Sequence, residues 1–318
     1  MTATGVPPSE TTRWRAVVRV LRSPLDSLGC TLLPAFCCLC GSPLPRLSSV
    51  PICDICWTEF PLQTQSACER CGDALPASAA ATGSSSLCRA CRMAPPAFVR
   101  AVSYGVYQGR MREAIHTLKY DRVYGASVGL GRMLAEAIAQ FASQAPQEML
   151  VIPVPLHRSK YAQRGFNQSR ALAAEALRFL GKSHPGWRLR LASSTLLRQR
   201  ATETQAGLTP RQRRLNVRGA FLVSDPALVT GQHVLVVDDI LTTGATARAA
   251  SRALVEAGAA SVWVATLARA QRGIDGIGGF GTSFYESTKE ETPPTGASPE
   301  ADSQTARSST NGATMPTF

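Results

Sequence analysis

The stretch HVLVVDDILTTGAT, from His233 to Thr246, restricts the fold more than any other part of the chain. Its run of four apolar residues, Val234 to Val237, suits a strand buried on both faces. Two adjacent aspartates end the run, and small hydroxyl residues and a glycine lead into GATARAASRALVEAG, which reads as a helix. A buried strand passing through a tight turn into an amphipathic helix is the repeating unit of a parallel α/β sheet. Other segments repeat the alternation. MLVIPVP reads as a buried strand ended by prolines, and ASVWVATLAR as a last buried strand. FVRAVSYGVY is expected to be a strand pair, MREAIHTLKY a short helix and RLASSTLLRQR one strand. Apolar residues at helical spacing (Leu130, Leu134, Ile138, Phe141) mark an amphipathic helix. NQSRALAAEALRFLG reads as a helix capped by Asn167, with Gly181 just past its end. The expected fold class is α/β, a parallel sheet with helices on both faces.

A small cysteine-rich module precedes it. Eight of the ten cysteines form four CxxC pairs: Cys37–Cys40, Cys53–Cys56, Cys68–Cys71 and Cys88–Cys91. A two-residue spacer lets two thiolates reach one tetrahedral ion, and two pairs complete a four-cysteine zinc site. Gly41 and Gly72 follow the first and third pairs, where the turn wraps the metal. Two structural Zn²⁺ ions are therefore expected, the spacing leaving open which pairs share an ion. Disulfides or a redox CxxC would need an oxidising compartment or a βαβ setting. Cys30 and Cys38 are left over and expected to be unligated. The organisation predicted is an arm over residues 1–28, with a short helix conceivable around Trp14 to Leu21, a double zinc module over 29–95, the α/β domain over 96–270 and a disordered tail over 271–318.

Among its 318 residues, Lys and Arg exceed Asp and Glu by 12. From Arg272 onward three basic residues face six acidic ones, so residues 1–271 carry a net +15. Such a surface attracts polyanions, nucleic acid or phosphate-rich small molecules, although a basic composition also serves solubility alone. No apolar run reaches the roughly eighteen residues of a membrane span, and arginines interrupt the apolar part of the N-terminus. A cytoplasmic protein without membrane insertion is expected. GIGGFG (Gly276–Gly281) spells a dinucleotide-binding pattern, but no helix-forming segment follows it, and the sequon at Asn167 falls on a helix start. Neither is a functional signal.

Ligands of an open parallel sheet sit beyond the carboxyl ends of its strands, where Asp238 and Asp239 fall. The turn after them offers backbone N–H groups, hydroxyls and a helix N-terminus, which together make an anion cradle. Two carboxylates would repel that anion unless they bind something else. Adjacent acceptors suit the adjacent hydroxyls of a ribose diol, and a divalent cation could bridge nearby oxygens. The ligand so described is a phosphorylated sugar with a free diol. The chain has no GxxxxGK[ST] for an ATPase and no DxD at this strand for a phosphatase.

VLVVDDILTTGAT closely resembles the phosphoribosyl-pyrophosphate (PRPP) motif of type I phosphoribosyltransferases. The cysteine pairs, Leu118–Tyr120, PVPLHRSKYAQRGFNQSR (Pro153–Arg170) and RQRATETQAGLTPRQRRLNVRGAF (Arg198–Phe221) extend the resemblance to the ComF/GntX family over roughly residues 30–270. The resemblance implies a type I phosphoribosyltransferase-like domain behind a double zinc ribbon. It implies that Asp238 and Asp239, the candidate catalytic pair, bind the ribose 2′ and 3′ hydroxyls, and that Thr242, Thr243, Gly244, Ala245 and Thr246 hold the 5′-phosphate. His157, Arg158, Lys160 and Arg164 would meet the pyrophosphate with Mg²⁺. Arg198, Arg200, Gln205 and Arg214 would belong to a flexible loop that closes over PRPP. Lys119 is a lesser candidate, and His116 and His233 are expected to be structural. Two functions are compatible with this: phosphoribosyl transfer to an unidentified acceptor, or a non-catalytic adaptor in DNA uptake that engages single-stranded DNA or an uptake protein. Trp57 and Phe60 are the few aromatics near the cysteines, so a base-stacking platform is not evident there.

Overall fold

Five parallel strands form one sheet in the order β1 (Ala101–Val106), β7 (Ser261–Arg269), β6 (His233–Leu241), β2 (Glu148–Pro153) and β3 (Arg188–Leu191) in the computed structural model. It describes residues 35–45, 51–63, 66–76, 86–120, 125–200, 212 and 219–271. The arm with Trp14–Leu21 and Cys30, the tail with Gly276–Gly281, and Gln205 and Arg214 lie outside the described residues. Two short strands, β4 (Leu196–Arg198) and β5 (Phe221–Val223), pair antiparallel beside the sheet. The helices are α1 (Asp54–Thr58), α2 (Arg89–Met93), α3 (Gly109–Tyr120), α4 (Ala126–Ala139), α5 (Arg158–Arg164), α6 (Gln168–Ser183) and α7 (Ala245–Glu256). Among the described residues no helix is long and apolar enough to cross a membrane.

Strand alternation divides the apolar run of β6 between two cores. Leu235 and Val237 join α3, α4 and α6, together with Met149, Val151 and Trp263. Val234 and Val236 join Ala250 and Leu254 of α7, together with Ile152, Val264 and the β4–β5 pair. Burial on both faces is why the run is continuously apolar rather than alternating.

The cysteine segment has no separate core. Cys37, Ile52, Cys56 and Phe60 pack into the α3–α4 side, whereas Cys68, Cys71, Cys91 and Phe98 pack into the α7 side. Between the two clusters the chain crosses the outer edge of β1, where Val106 N–H donates to the Pro61 carbonyl (2.8 Å) and Ala101 N–H to that of Arg70 (2.8 Å). The segment thereby covers an edge that would otherwise expose unpaired backbone groups. Trp57 is spent on packing: it meets Phe60 edge to face and lies so close to Gly129 of α4 that a Cβ there would sit 2.3 Å from its ring.

Three local expectations are corrected. FVRAVSYGVY holds one strand rather than a pair, because β7 takes one edge of β1 and the cysteine segment the other. RLASSTLLRQR divides into β3 and β4, which belong to different sheets. Gly181 lies inside α6, which runs on to Ser183 and ends at His184. Its cost there, about 1 kcal/mol relative to alanine, is outweighed by the packing of the helix on α4 and the sheet.

Candidate functional site

β6 ends at the ligand edge of the sheet with Asp238 and Asp239, and helices α3 and α6 bring their partners. Lys119, in the last turn of α3, places Nζ 2.6 Å from Asp239 Oδ2. Gln168 Nε2 donates to the same oxygen at 3.4 Å. The hydroxyl of Ser169 donates to Asp238 Oδ1 at 3.0 Å, and so does the Asp239 backbone N–H at 2.9 Å. Gln168 and Ser169 reach the strand because Asn167 fixes the start of α6. Its Oδ1 accepts from Ser169 and Arg170 N–H, while its Nδ2 donates to the Val154 carbonyl.

The two carboxyls differ electrostatically. Burial pushes the Asp238 carboxyl up to about 7, and the Asp239 carboxylate beside it adds to the rise, against the pull of Lys119 and of the hydrogen bonds. Burial would lower the Lys119 ammonium, but the Asp239 carboxylate holds it above its ordinary value. Asp239 and Lys119 thus form an ion pair, whereas Asp238 is the group that exchanges a proton near neutrality. Breaking the pair from the lysine side leaves Asp239, which is 5% exposed, without its counter-ion. Lys119→Met is accordingly expected to cost about 3 kcal/mol, read as a lower denaturant midpoint at pH 8.

After Leu241 the chain turns through Thr242, Thr243 and Gly244. Gly244 adopts φ +74°, a left-handed conformation that glycine accepts without strain, and caps α7. The first bond of the helix runs from Arg248 N–H to the Gly244 carbonyl (2.8 Å), so the N–H groups of residues 245–247 precede its ladder. Thr243 Oγ1 lies 3.3 Å from Ala245 N. The predicted anion loop, Thr242 to Thr246, is thus a helix N-terminus immediately beside the two aspartates.

Lys160, Arg164 and Arg198 gather beside Lys119 and the aspartates. The Lys160 ammonium is lowered by burial and by the nearby charges of Arg198, Arg164 and Lys119. Burial also lowers the Arg198 guanidinium, against the attraction of Asp238. Arg164 donates to Gln168 Oε1 (3.2 Å) and Tyr120 Oη (3.3 Å), and its guanidinium lies over the Tyr120 ring at 5.0 Å. Arg158 and Arg200 are exposed at the ends of the same segments. His157 caps α5: its Nδ1 lies 3.3 Å from Ser159 N and 2.8 Å from Ser159 Oγ. Cations that depress one another's charge make a site that gains by binding an anion.

The cysteines form two clusters, Cys37, Cys40, Cys53 and Cys56 in one, Cys68, Cys71, Cys88 and Cys91 in the other, with the four Sγ atoms of each within 4.8 Å. First therefore joins second, and third joins fourth. Sulfur separations of 3.8 Å (Cys37–Cys56), 3.6 Å (Cys40–Cys53) and 3.6 Å (Cys71–Cys88) are close to the about 3.8 Å edge of a tetrahedron with zinc–sulfur bonds of about 2.3 Å. The all-thiolate donor set fits a soft or borderline metal ion in a closed, structural site. Cys38 belongs to neither cluster.

Lys119 is central rather than peripheral, and nothing in the sequence singles out Gln168 or Ser169. The one signal available is that α6 starts soon after β2, with only the short α5 between them, and so begins at the sheet's ligand edge.

A profile of the phosphoribosyl transferase domain matches residues 170–276. The chain is 35% identical over 240 residues to the "DNA utilization protein YhgH" of Salmonella typhi, covering 74% of this chain and 98% of that one. It is 27% identical over 235 residues to "Competence protein F" of Haemophilus influenzae, covering 73% and 90%, and 26% identical over 164 residues to "Competence protein ComFC" of Streptococcus pneumoniae, covering 51% and 65%.

Proposed function

The chain belongs to the ComF family of phosphoribosyltransferase-domain proteins, and from that premise we propose that it binds PRPP with Mg²⁺ at the carboxyl edge of β6 and transfers the phosphoribosyl group to an acceptor in the handling of incoming DNA. The observation that carries the reading is the juxtaposition of one ionisable carboxyl, one ion-paired carboxylate and a helix N-terminus on a single turn. In this reading Asp238 and Asp239 accept from the ribose 2′ and 3′ hydroxyls, and residues 242–246 hold the 5′-phosphate. Lys160, Arg164 and Arg198 face the pyrophosphate, with Arg158 and His157 at its margin. An acceptor nucleophile bonds to the anomeric carbon as the bond to the pyrophosphate oxygen breaks. The electron pair leaves with the pyrophosphate, where the cations stabilise it. Mg²⁺, when bound, neutralises part of the pyrophosphate charge, and the carboxylate oxygens of Asp238 are suited to its preference for oxygen. Two zinc ions occupy the cysteine clusters in this reading. The clusters, buried among both cores, act as structure rather than catalysts.

The relatives' names and the net +15 of residues 1–271 favour contact with single-stranded DNA or a DNA-uptake protein. Titration of Mg·PRPP followed by assay of pyrophosphate release separates transferase from adaptor. Binding without release across purine, pyrimidine and amine acceptors favours the adaptor, and no binding at all removes the ligand assignment.

The pH dependence carries a sign. Asp238 accepts from the diol as a carboxylate, so below about pH 7 binding must first expel its proton. Affinity for Mg·PRPP is expected to rise about tenfold per pH unit below that value and to level off above it. Calorimetry at pH 6, 7 and 8, with Asp238→Asn as the reference for the ligand's own titration, checks this. A wild-type profile parallel to that of the variant would count against the assignment.

A further inference from the structure

Arg269 is a buried guanidinium, 1% exposed, at the end of β7 and in register with Leu241 of β6. Its Nη1 donates to the Leu241 carbonyl (2.7 Å) and to the Thr242 carbonyl, and its Nη2 pairs with Asp73 Oδ1 at 3.2 Å. Asp73 is itself buried and follows Cys71 and Gly72 directly, and its own carbonyl accepts from Cys68 N–H (2.8 Å), closing the turn of the second cysteine cluster. The next residue, Ala74, donates its N–H to Gln271 Oε1 at 2.8 Å. On the other side of the loop, Arg248 of α7 donates to the Ala94 carbonyl (2.6 Å) and places Nη2 3.9 Å from Cys91 Sγ. Both the backbone of the anion loop and the helix it caps are therefore fastened to the same cluster.

We propose that Arg269, held by Asp73, is a positioning residue that aims the backbone of the anion loop, and that through it and Arg248 the second cysteine cluster sets the loop's affinity for the 5′-phosphate. This rests on the PRPP reading above. In a trans peptide the carbonyl and the following N–H point in opposite directions. Drawing the Leu241 and Thr242 carbonyls onto Arg269 therefore turns the N–H groups of Thr242 and Thr243 away from it. A buried guanidinium holds such a position only with its counter-ion in place, and the counter-ion sits on the metal-binding turn. Among the described residues, the first cluster, which packs on the opposite side of the sheet, makes no such links.

Asp73→Asn and Arg248→Gln test the inference, with metal content and melting measured beside calorimetric affinities for Mg·PRPP, ribose 5-phosphate and Mg·pyrophosphate. Both variants are expected to keep one metal ion in each of the two clusters and to melt cooperatively. They should lose about tenfold in affinity for the two probes that carry a 5′-phosphate, within the range usual for coupled sites, and keep the pyrophosphate affinity. Unchanged 5′-phosphate affinity in a folded variant overturns the proposal, as does a parallel loss for all three probes. If Asp73→Asn does not fold, Arg248→Gln decides on the same criteria. Failure of the wild type to bind Mg·PRPP would instead remove the underlying reading, a result distinguishable from equal binding by wild type and variants.

Discussion

Removal of metal by a strong chelator is expected to unfold more than the cysteine segment. Each structural zinc contributes on the order of 10 kcal/mol of apparent folding energy at neutral pH, while a whole domain is stable by about 5–15 kcal/mol. In a module on a flexible tether that loss would stay local. Here Cys37 and Cys56 lie in the core formed by α3 and α4, and Cys68 and Cys91 in the core formed by α7. Losing the ions removes the bonds that hold each set of four thiols together, leaves those thiols to repel one another when ionised, and uncovers the edge of β1. The expected observation is a large drop in melting temperature, loss of amide protection along β1 and recovery of both on adding zinc. Elemental analysis should return two zinc ions per chain, one for each four-cysteine cluster. A chelated protein that keeps its melting temperature would show that the clusters are not structural metal sites.

What could be read from the sequence was what is local in it. The strand, turn and helix of residues 233–256 follow from an apolar run, a glycine that must take positive φ, and a small-residue helix, all within one stretch. The four CxxC pairs announce metal for the same reason, since two ligands of each site are three residues apart. Their pairing was illegible, because every pair has the same spacing and only the crossing of β1 decides which two meet. The partners of the aspartates were hidden for a similar reason. Lys119 lies about 120 residues before Asp239, and nothing around it shows that the end of α3 arrives at the end of β6. In the sequence Arg269 is no more than the polar end of an apolar strand, yet it is among the most buried side chains. Its role depends on an aspartate nearly two hundred residues away. Where local signals conflicted with the fold, packing prevailed, as at Gly181 inside α6 and at the division of β3 from β4.

Asp238→Asn and Asp239→Asn are expected to weaken Mg·PRPP binding alike and to alter stability in opposite ways. Each substitution replaces a charged acceptor of a ribose hydroxyl by a neutral one. Hydrogen bonds to charged groups contribute about 1.5–3 kcal/mol, so each loss corresponds to about 10- to 100-fold in affinity. The pair shares one ligand and one field, so the double variant should fall short of the product of the two. Stability separates them. Burial and its neighbour have pushed the Asp238 carboxyl up to about 7, so at pH 8 the fold carries an ionised group it disfavours. An amide at 238 relieves that cost, keeps an oxygen to accept from Ser169, and should leave the melting temperature unchanged or higher. An amide at 239 leaves the Lys119 ammonium beside a neutral group in a part-buried position and should lower it. A site residue whose removal stabilises the fold is one retained for its ligand. If Asp238→Asn melted lower and bound Mg·PRPP as the wild type does, Asp238 would be a structural residue and the diol would have to be held elsewhere.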